Sequence, residues 1–425
     1  MMNFKYILVF LTLFSSCSKN DTPTSNSSLV NTSHLEHLYQ KIDKNNTDLG
    51  TIWIYCDAPD YQLVADGDEG FTCVDDVART LVFYCRQYEN SPNQENLNKI
   101  KSFTHFLLYM KANNGYFYNF MFPDEEINTT HINSLPIPNF WSWRAFWALS
   151  ELNLLDSSEF DNLKAQIIPV MDDLVNKINQ IFISNYNTTV IDGIEIPSWI
   201  AEQGADQIAL IMTSLTNYYQ IDKSPVIYDL LIKLGNSLIA AQYGDIDNFP
   251  HYAFLSWKNI WHAWGNTQAY ALLYTGRILQ NDIFINAGQK EVDHFYPFCT
   301  ENGFVSDFKI SMSNNTIVKQ DFNSFPQIAY GISPMIFASL EAYLVTGNES
   351  YATQAGEIAT WFLGNNSARQ IMYDYSTGRG FDGIDSANKI NYNSGAESTI
   401  EALLSMQAIE SNYISKQVVE NYKKK

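Results

Sequence analysis

Between residues 34 and 409, apolar positions recur every three to four residues in one segment after another, the period of helices that bury a single face. Residues 75–88 show the pattern plainly, with Val77, Ala78, Leu81, Val82, Tyr84 and Cys85. The same spacing predicts helices over 97–110, 143–155, 161–182, 203–219, 224–243, 267–279, 282–295, 334–346, 350–363 and 396–409. With residues 34–42 the count reaches about twelve. Short polar turns such as Gln280-Asn281 and residues 346–350 join some neighbours, whereas residues 113–140, 190–201, 244–265, 300–325 and 374–395 form long loops dense in Gly, Asn, Pro and aromatics. Short turn alternating with long loop is what a ring of helical hairpins needs. The expected fold is an all-α (α/α)6 toroid with its long loops around a cleft at one end; an irregular helical bundle or a solenoid is the alternative. No repeat of fixed length supports the solenoid.

The ends carry a different pattern. Lys5 precedes an apolar run over residues 6–14, followed by Ser15, Ser16 and Cys17. Nine apolar residues are too few to span a bilayer, and the order basic, apolar, small is that of a secretory signal. Small residues directly before a Cys resemble the bacterial lipoprotein box. The expected organisation is a signal peptide over 1–16, a lipidated Cys17 with a Ser/Thr/Asn-rich tether to residue 33, and one toroid domain over 34–425. An ordinary signal peptide with a stray Cys is the other reading. On the first, the protein is exported and touches a bacterial membrane through its lipid alone. Cys56, Cys73, Cys85 and Cys299 match no zinc spacing. Cys73 and Cys85 read as buried thiols, with a Cys56–Cys73 bridge as the alternative.

Composition narrows the partners. Over 425 residues, Lys+Arg number 26 and Asp+Glu 46, a net charge of −20. That balance argues against nucleic acid or an anionic membrane face as main partner, because both require a basic surface. Aromatic residues make up 14% of the chain, and Trp and Tyr stack on sugar rings as well as filling cores.

Three groups of residues, Val74-Asp75-Asp76-Val-Ala-Arg79, Gly115-Tyr-Phe-Tyr-Asn119 and Arg144-Ala-Phe-Trp147, resemble successive motifs of a bacterial helical-toroid family linked to carbohydrate metabolism. So do Asp374 to Gly383 and Asn391 to Thr399, and the matches together run over residues 74–408. Where relatives have His-Gly before the Arg-Ala-x-Trp motif, this chain has Ser142-Trp143. The resemblance implies a toroid and a sugar ligand without fixing the reaction.

Candidate chemistry follows from residue types and their places. Asp75 and Asp76 open a helix, where carboxylates favour the dipole and cap free N–H groups; Asp75 reads as the cap and Asp76 as the residue turned to the cleft. Glu202, Asp382 and Glu397 lie in or beside long loops, and a glycoside hydrolase would use two such carboxyls as acid and as base or nucleophile. His131, His251 and His262 fall in aromatic loops, beside Tyr252 in one case, and suit proton abstraction. Arg144 and Arg379 are the best forks for a substrate carboxylate. Trp143, Trp257 and Trp264 are the candidate sugar platforms. A structural role competes with each of these assignments. No metal-ligand spacing, phosphate loop or nucleophile elbow is present, and no cofactor is expected.

The leading expectation is a lyase or dehydratase acting on uronate-containing oligosaccharides by β-elimination. His131, His251, Tyr252, His262 and Arg144 would carry the chemistry. Asp76, Trp143, Glu202, Trp257, Trp264, Arg379, Asp382 and Glu397 would hold the substrate. In export, size and uronate chemistry such a protein resembles the oligosaccharide dehydratases of ulvan breakdown. A glycoside hydrolase with paired carboxyls and a non-catalytic glycan-binding lipoprotein are the alternatives.

Overall fold

In the computed structural model, residues 28–424 are described; the signal segment and Cys17 lie outside the described residues. Twelve helices build the barrel: α1 (Val74–Asn90), α2 (Gln94–Tyr109), α3 (Phe140–Leu154), α4 (Asp161–Ile181), α5 (Ala205–Ile221), α6 (Pro225–Ile239), α7 (Gln268–Leu279), α8 (Asp282–Lys290), α9 (Ala329–Thr346), α10 (Glu349–Ala359), α11 (Ala396–Glu410) and α12 (Tyr413–Lys423). Each odd-numbered helix packs on the next odd one, and α11 returns to α1, so six helices close an inner ring. The even-numbered helices cover it from outside. This is an (α/α)6 toroid.

The two rings differ in sequence for a physical reason. Most inner helices are buried on nearly every side, so beyond α1 their apolar stripe is blurred. They carry many small and hydroxyl residues, such as Thr213, Ser214 and Thr216 on α5 and Ser405 on α11, all buried. Their hydroxyls bond the carbonyl one turn back, as Thr213 to Ala209 (3.0 Å), Ser214 to Leu210 (2.8 Å) and Ser405 to Glu401 (2.8 Å), which satisfies them without water. Outer helices keep one wet face and one apolar one, as on α4, where Leu163, Ile167, Val170, Met171, Leu174 and Ile178 are buried.

Connections from an inner helix to its outer partner are short: residues 91–93, 222–224, 280–281, 347–348 and 411–412. Those from an outer helix to the next inner one run over 110–139, 182–204, 240–267, 291–328 and 360–395. The long loops therefore all gather at the N-terminal ends of the inner helices. Several fold into antiparallel hairpins, Thr188–Ile191 with Ile194–Pro197 and Asp307–Ser313 with Thr316–Asn323 among them.

Two expectations need correction. Residues 34–42 are not a barrel helix: Ser33–Leu38 is a short helix, and Tyr39–Lys44 is a strand paired with Thr47–Ile52. The spacing of Leu35, Leu38 and Ile42 imitates a helix, but Asn45 and Asn46 sit at φ 56° and 62°, the turn that a two-residue hairpin requires. The twelfth helix is instead α12, beyond the last helix that the spacing predicts. It packs against α10, with Val419 buried and the Ser415 carbonyl only 2.7 Å from where a Cβ on Gly356 would stand. The four described cysteines are free and buried, so Cys56 and Cys73 form no bridge.

Candidate active site

A cleft of about 420 Å³ opens at the loop end of the ring. Inner helices α1, α3, α9 and α11 supply Asp75, Arg79, Trp141, Arg144, Tyr330 and Glu397, and the loops add Asn119, Asn133, Asn139 and Trp264. Two larger grooves, of about 850 and 910 Å³, lie among the outer helices and gather no comparable buried charges.

Arg79 is the hub of the floor. It is 2% exposed, with Nη1 2.8 Å from Asp76 Oδ1, Nη2 2.8 Å from Glu397 Oε2 and Nε 3.1 Å from Glu401 Oε1. Burial of three carboxyls is tolerable only because this guanidinium joins them. Asp76 is lifted to about 6 by burial, opposed by Arg79 and reinforced by Glu397 and Asp75. Burial also raises Glu401, which accepts a hydrogen bond from Ser333 Oγ at 2.5 Å. Arg144, 4% exposed, donates to the Tyr330 hydroxyl at 2.7 Å. Its Nε lies 2.7 Å from Asp75 Oδ1, an ion-pair contact without hydrogen-bond alignment. Both guanidinium carbons stand 4.9 Å from the centre of the Tyr330 ring. Burial holds the Tyr330 phenol above its usual range in spite of the two arginines.

One residue of helix phase decides which aspartate faces the cleft. Asp75 lines it, while Asp76 turns inward beneath Arg79 and accepts from Cys73 Sγ at 3.2 Å. That reverses the expected roles. The accessible carboxylates are Asp75 and Glu397, with side chains 23% and 43% exposed on neighbouring helices α1 and α11.

Of the other candidates, Arg144 and Trp264 line the cleft. His262 stands directly behind Trp264, rings stacked at 4.1 Å and 8°. Its Nδ1 is 2.8 Å from the Trp264 carbonyl and its Nε2 is 3.4 Å from Asp206 Oδ2. Burial depresses His262 to about 4 and lifts Asp206 to about 7. His131 is at the rim, accepting from Asn133 N and packed on Phe120.

The remaining candidates lie elsewhere. Trp143 is 1% exposed with its ring edge-on to Tyr116, so it packs the core and offers no face to a sugar. His251 and Tyr252 pack on Phe298 and His294, neither of which lines the cleft. Glu202 is exposed on the short helix Ser198–Gln203, and Trp257 Nε1 bonds Ala201 O beside it. Arg379 stacks 3.7 Å from the centre of the Tyr61 ring. Asp382 braces the chain entering α11, accepting from Gly395 N at 3.0 Å and Ser398 Oγ at 2.7 Å.

Sequence reasoning did not single out Tyr330, Asp206 or Glu401. The spacing predicts a helix only from Pro334, four residues beyond Tyr330, whereas α9 begins at Ala329. Among the described residues no cluster of three or more His, Cys, Asp or Glu could hold a metal.

No protein-family model matches the chain, and no curated protein matches it. Solved structures do. A sugar epimerase from a ruminal bacterium is similar with a TM-score of 0.60 at 13% identity, over 87% of this chain and 94% of that one. A D-mannose isomerase is similar with a TM-score of 0.60 at 12% identity, over 93% and 100%. An inactive variant of an α-1,6-mannanase of Salegentibacter, in complex with α-1,6-mannotriose, gives 0.52 at 11%, over 84% and 94%. At such identities the likeness is one of fold: this chain shares its (α/α)6 toroid with enzymes that process carbohydrates.

Proposed function

We propose that the protein is a carbohydrate-active enzyme that hydrolyses a glycosidic bond in the cleft, with Asp75 and Glu397 as the paired carboxyls. The observation that carries this reading is which charges a ligand meets. Both guanidiniums that line the cleft are buried and engaged, and its more accessible groups are the carboxylates of Asp75 and Glu397, the amides of Asn133 and Asn139 and the exposed Trp264. A hydrolase needs one carboxyl to protonate the leaving oxygen and another to activate water or attack the sugar. Trp264 supplies an apolar face for the ring. The toroidal mannanase is a further support: it was made inactive by replacing two consecutive aspartates, and this chain carries Asp75-Asp76 at the start of its first inner helix.

The charge balance weighs against a uronate. Arg79 and Arg144 face Asp75, Asp76, Glu397 and Glu401, so neither guanidinium of the cleft is left to neutralise a substrate carboxylate. One observation favours β-elimination as a second reading. The Tyr330 hydroxyl lines the cleft and is held by Arg144, as a proton-transfer group would be.

One assay separates the two. The protein is incubated with α-mannan, β-glucan and uronate-containing oligosaccharides while product mass and ultraviolet absorbance are followed. Hydrolysis adds the mass of water and creates no chromophore. A conjugated double bond formed on the uronate substrates would overturn hydrolysis in favour of elimination. We propose further that export ends in cleavage before Cys17 and lipidation of its sulfur; a Cys17→Ser chain is then expected to lose incorporated fatty acid.

A further inference from the structure

Behind the exposed face of Trp264 lies a chain of buried contacts that the proposed hydrolysis does not use. Trp264 is 40% exposed, and its inner face is covered by the imidazole of His262. The Trp264 carbonyl can only accept, so His262 Nδ1 carries the ring proton and Nε2 presents a bare lone pair. The group facing that lone pair is Asp206 Oδ2, at the second position of α5 and 6% exposed. A carboxylate there would set two acceptors against each other. A carboxylic acid is the form that can donate across this 3.4 Å contact, and burial favours the acid by lifting Asp206 to about 7 while keeping His262 neutral. Ser256 fixes the other side of the histidine, accepting from its N–H at 3.1 Å and donating to its carbonyl at 3.2 Å. Gly265, at φ +73°, carries the chain past Tyr330, where a Cβ would stand 2.8 Å from the phenol oxygen.

We propose that Asp206 is a positioning residue: it holds His262, and His262 holds Trp264 as a rigid sugar platform at the edge of the cleft. The inference rests on the reading of the cleft as a sugar site. A platform fixed before the ligand arrives loses little side-chain freedom on binding, which is where such a support acts.

The test reads Trp264 directly, as the indole emission that disappears in Trp264→Phe. Asp206→Asn keeps a donor toward Nε2 and is expected to preserve that emission and its quenching by iodide. Asp206→Leu removes the donor; Trp264, 40% exposed in the wild type, is expected to become about twofold more quenchable as it swings free. With any saccharide the enzyme turns over, Asp206→Leu should raise KM about fivefold at unchanged kcat, and Asp206→Asn should restore it. If Asp206→Leu does not fold, His262→Phe, which keeps a stacked ring but no nitrogen, serves in its place. Unchanged Trp264 emission and quenching in these variants would overturn the proposal. Failure of the sugar reading is a separate result, seen as unchanged KM in Trp264→Phe itself.

Discussion

Arg79 pairs with two carboxyls that are nearly closed to water, Asp76 and Glu401, and with the half-exposed Glu397. Its removal strands those charges, a far larger loss than that of an exposed pair. Arg79→Met is expected to cost about 3–5 kcal/mol in urea unfolding, and Arg79→Lys to recover little, because an ammonium cannot serve three carboxyls in a plane. Glu397 also touches Arg79 but remains 43% exposed, so Glu397→Gln should leave the unfolding midpoint nearly intact. If Glu397 is the acid or base, the same change lowers kcat by about 10²–10⁴-fold, and kinetics at saturating substrate measure it. At this scale the sequence was legible in part. Arg144, Trp264 and Glu397 lie on the cleft, and their loop or helix-start positions pointed there. Asp75 and Asp76 exchanged places because one step along a helix turns a side chain by about 100°, and the starting phase comes from a cap. That cap is Cys73, whose sulfur accepts from Asp76 N.

Helix pairs hold through close approach and capping. Gly235 on α6 faces the Phe284 ring of α8; a Cβ would lie 2.3 Å from its Cζ. Ala is the better helix former by nearly 1 kcal/mol, yet here the collision outweighs propensity, and Gly235→Ala is expected to destabilise by about 1–3 kcal/mol in urea unfolding. Asn281 caps α8, accepting from Ile283 N at 3.0 Å and Phe284 N at 3.2 Å. Asn281→Ala should cost about 1 kcal/mol by the same measurement. Inner and outer helices were legible from their period. The hairpins were missed, although their turns were written in the chain: Asn45-Asn46, Asp192-Gly193 and Asn314-Asn315 all occupy the left-handed region that two-residue hairpins use. The last helix is not legible because its apolar face is sparse, and its partner on α10 comes only with the closed ring.

For the molecule as a whole, the buried acids set how stability follows pH. Asp76, Asp206 and Glu291 are raised by burial to about 6, 7 and 8. These three acids bind more protons folded than unfolded above pH ~4, so their contribution is full below the unfolded pKa values and is lost as pH climbs through the folded ones. Buried His34 and His262, depressed to about 4, work the other way up to about pH 6.5. The melting temperature is therefore expected to fall between about pH 6.5 and pH 8, and Glu291→Gln should flatten that fall. A scanning fluorimetry series over pH would show it; a melting temperature that rises across that range would contradict the assignment. The opening of the cleft was foreseeable as a place, since alternating short and long connections leave one end bare. Its electrostatic character was not, because pairing between Arg79 and acids 318 and 322 positions away follows only from ring closure.

That closure also sets where the described chain begins on the barrel. The first described residues meet the barrel at the far end of α11, where Ser28 Oγ and Leu29 N both bond the Glu410 carboxylate. Glu397, at the mouth of the cleft, lies at the other end of the same helix, about 20 Å away at 1.5 Å per residue. The chain then climbs beside α11, past Tyr373, to His34 at Ser394. The described chain therefore begins on the short-turn side of the barrel, opposite the mouth of the cleft. If the lipidation of Cys17 proposed above holds, the anchor joins the barrel from the side away from the cleft.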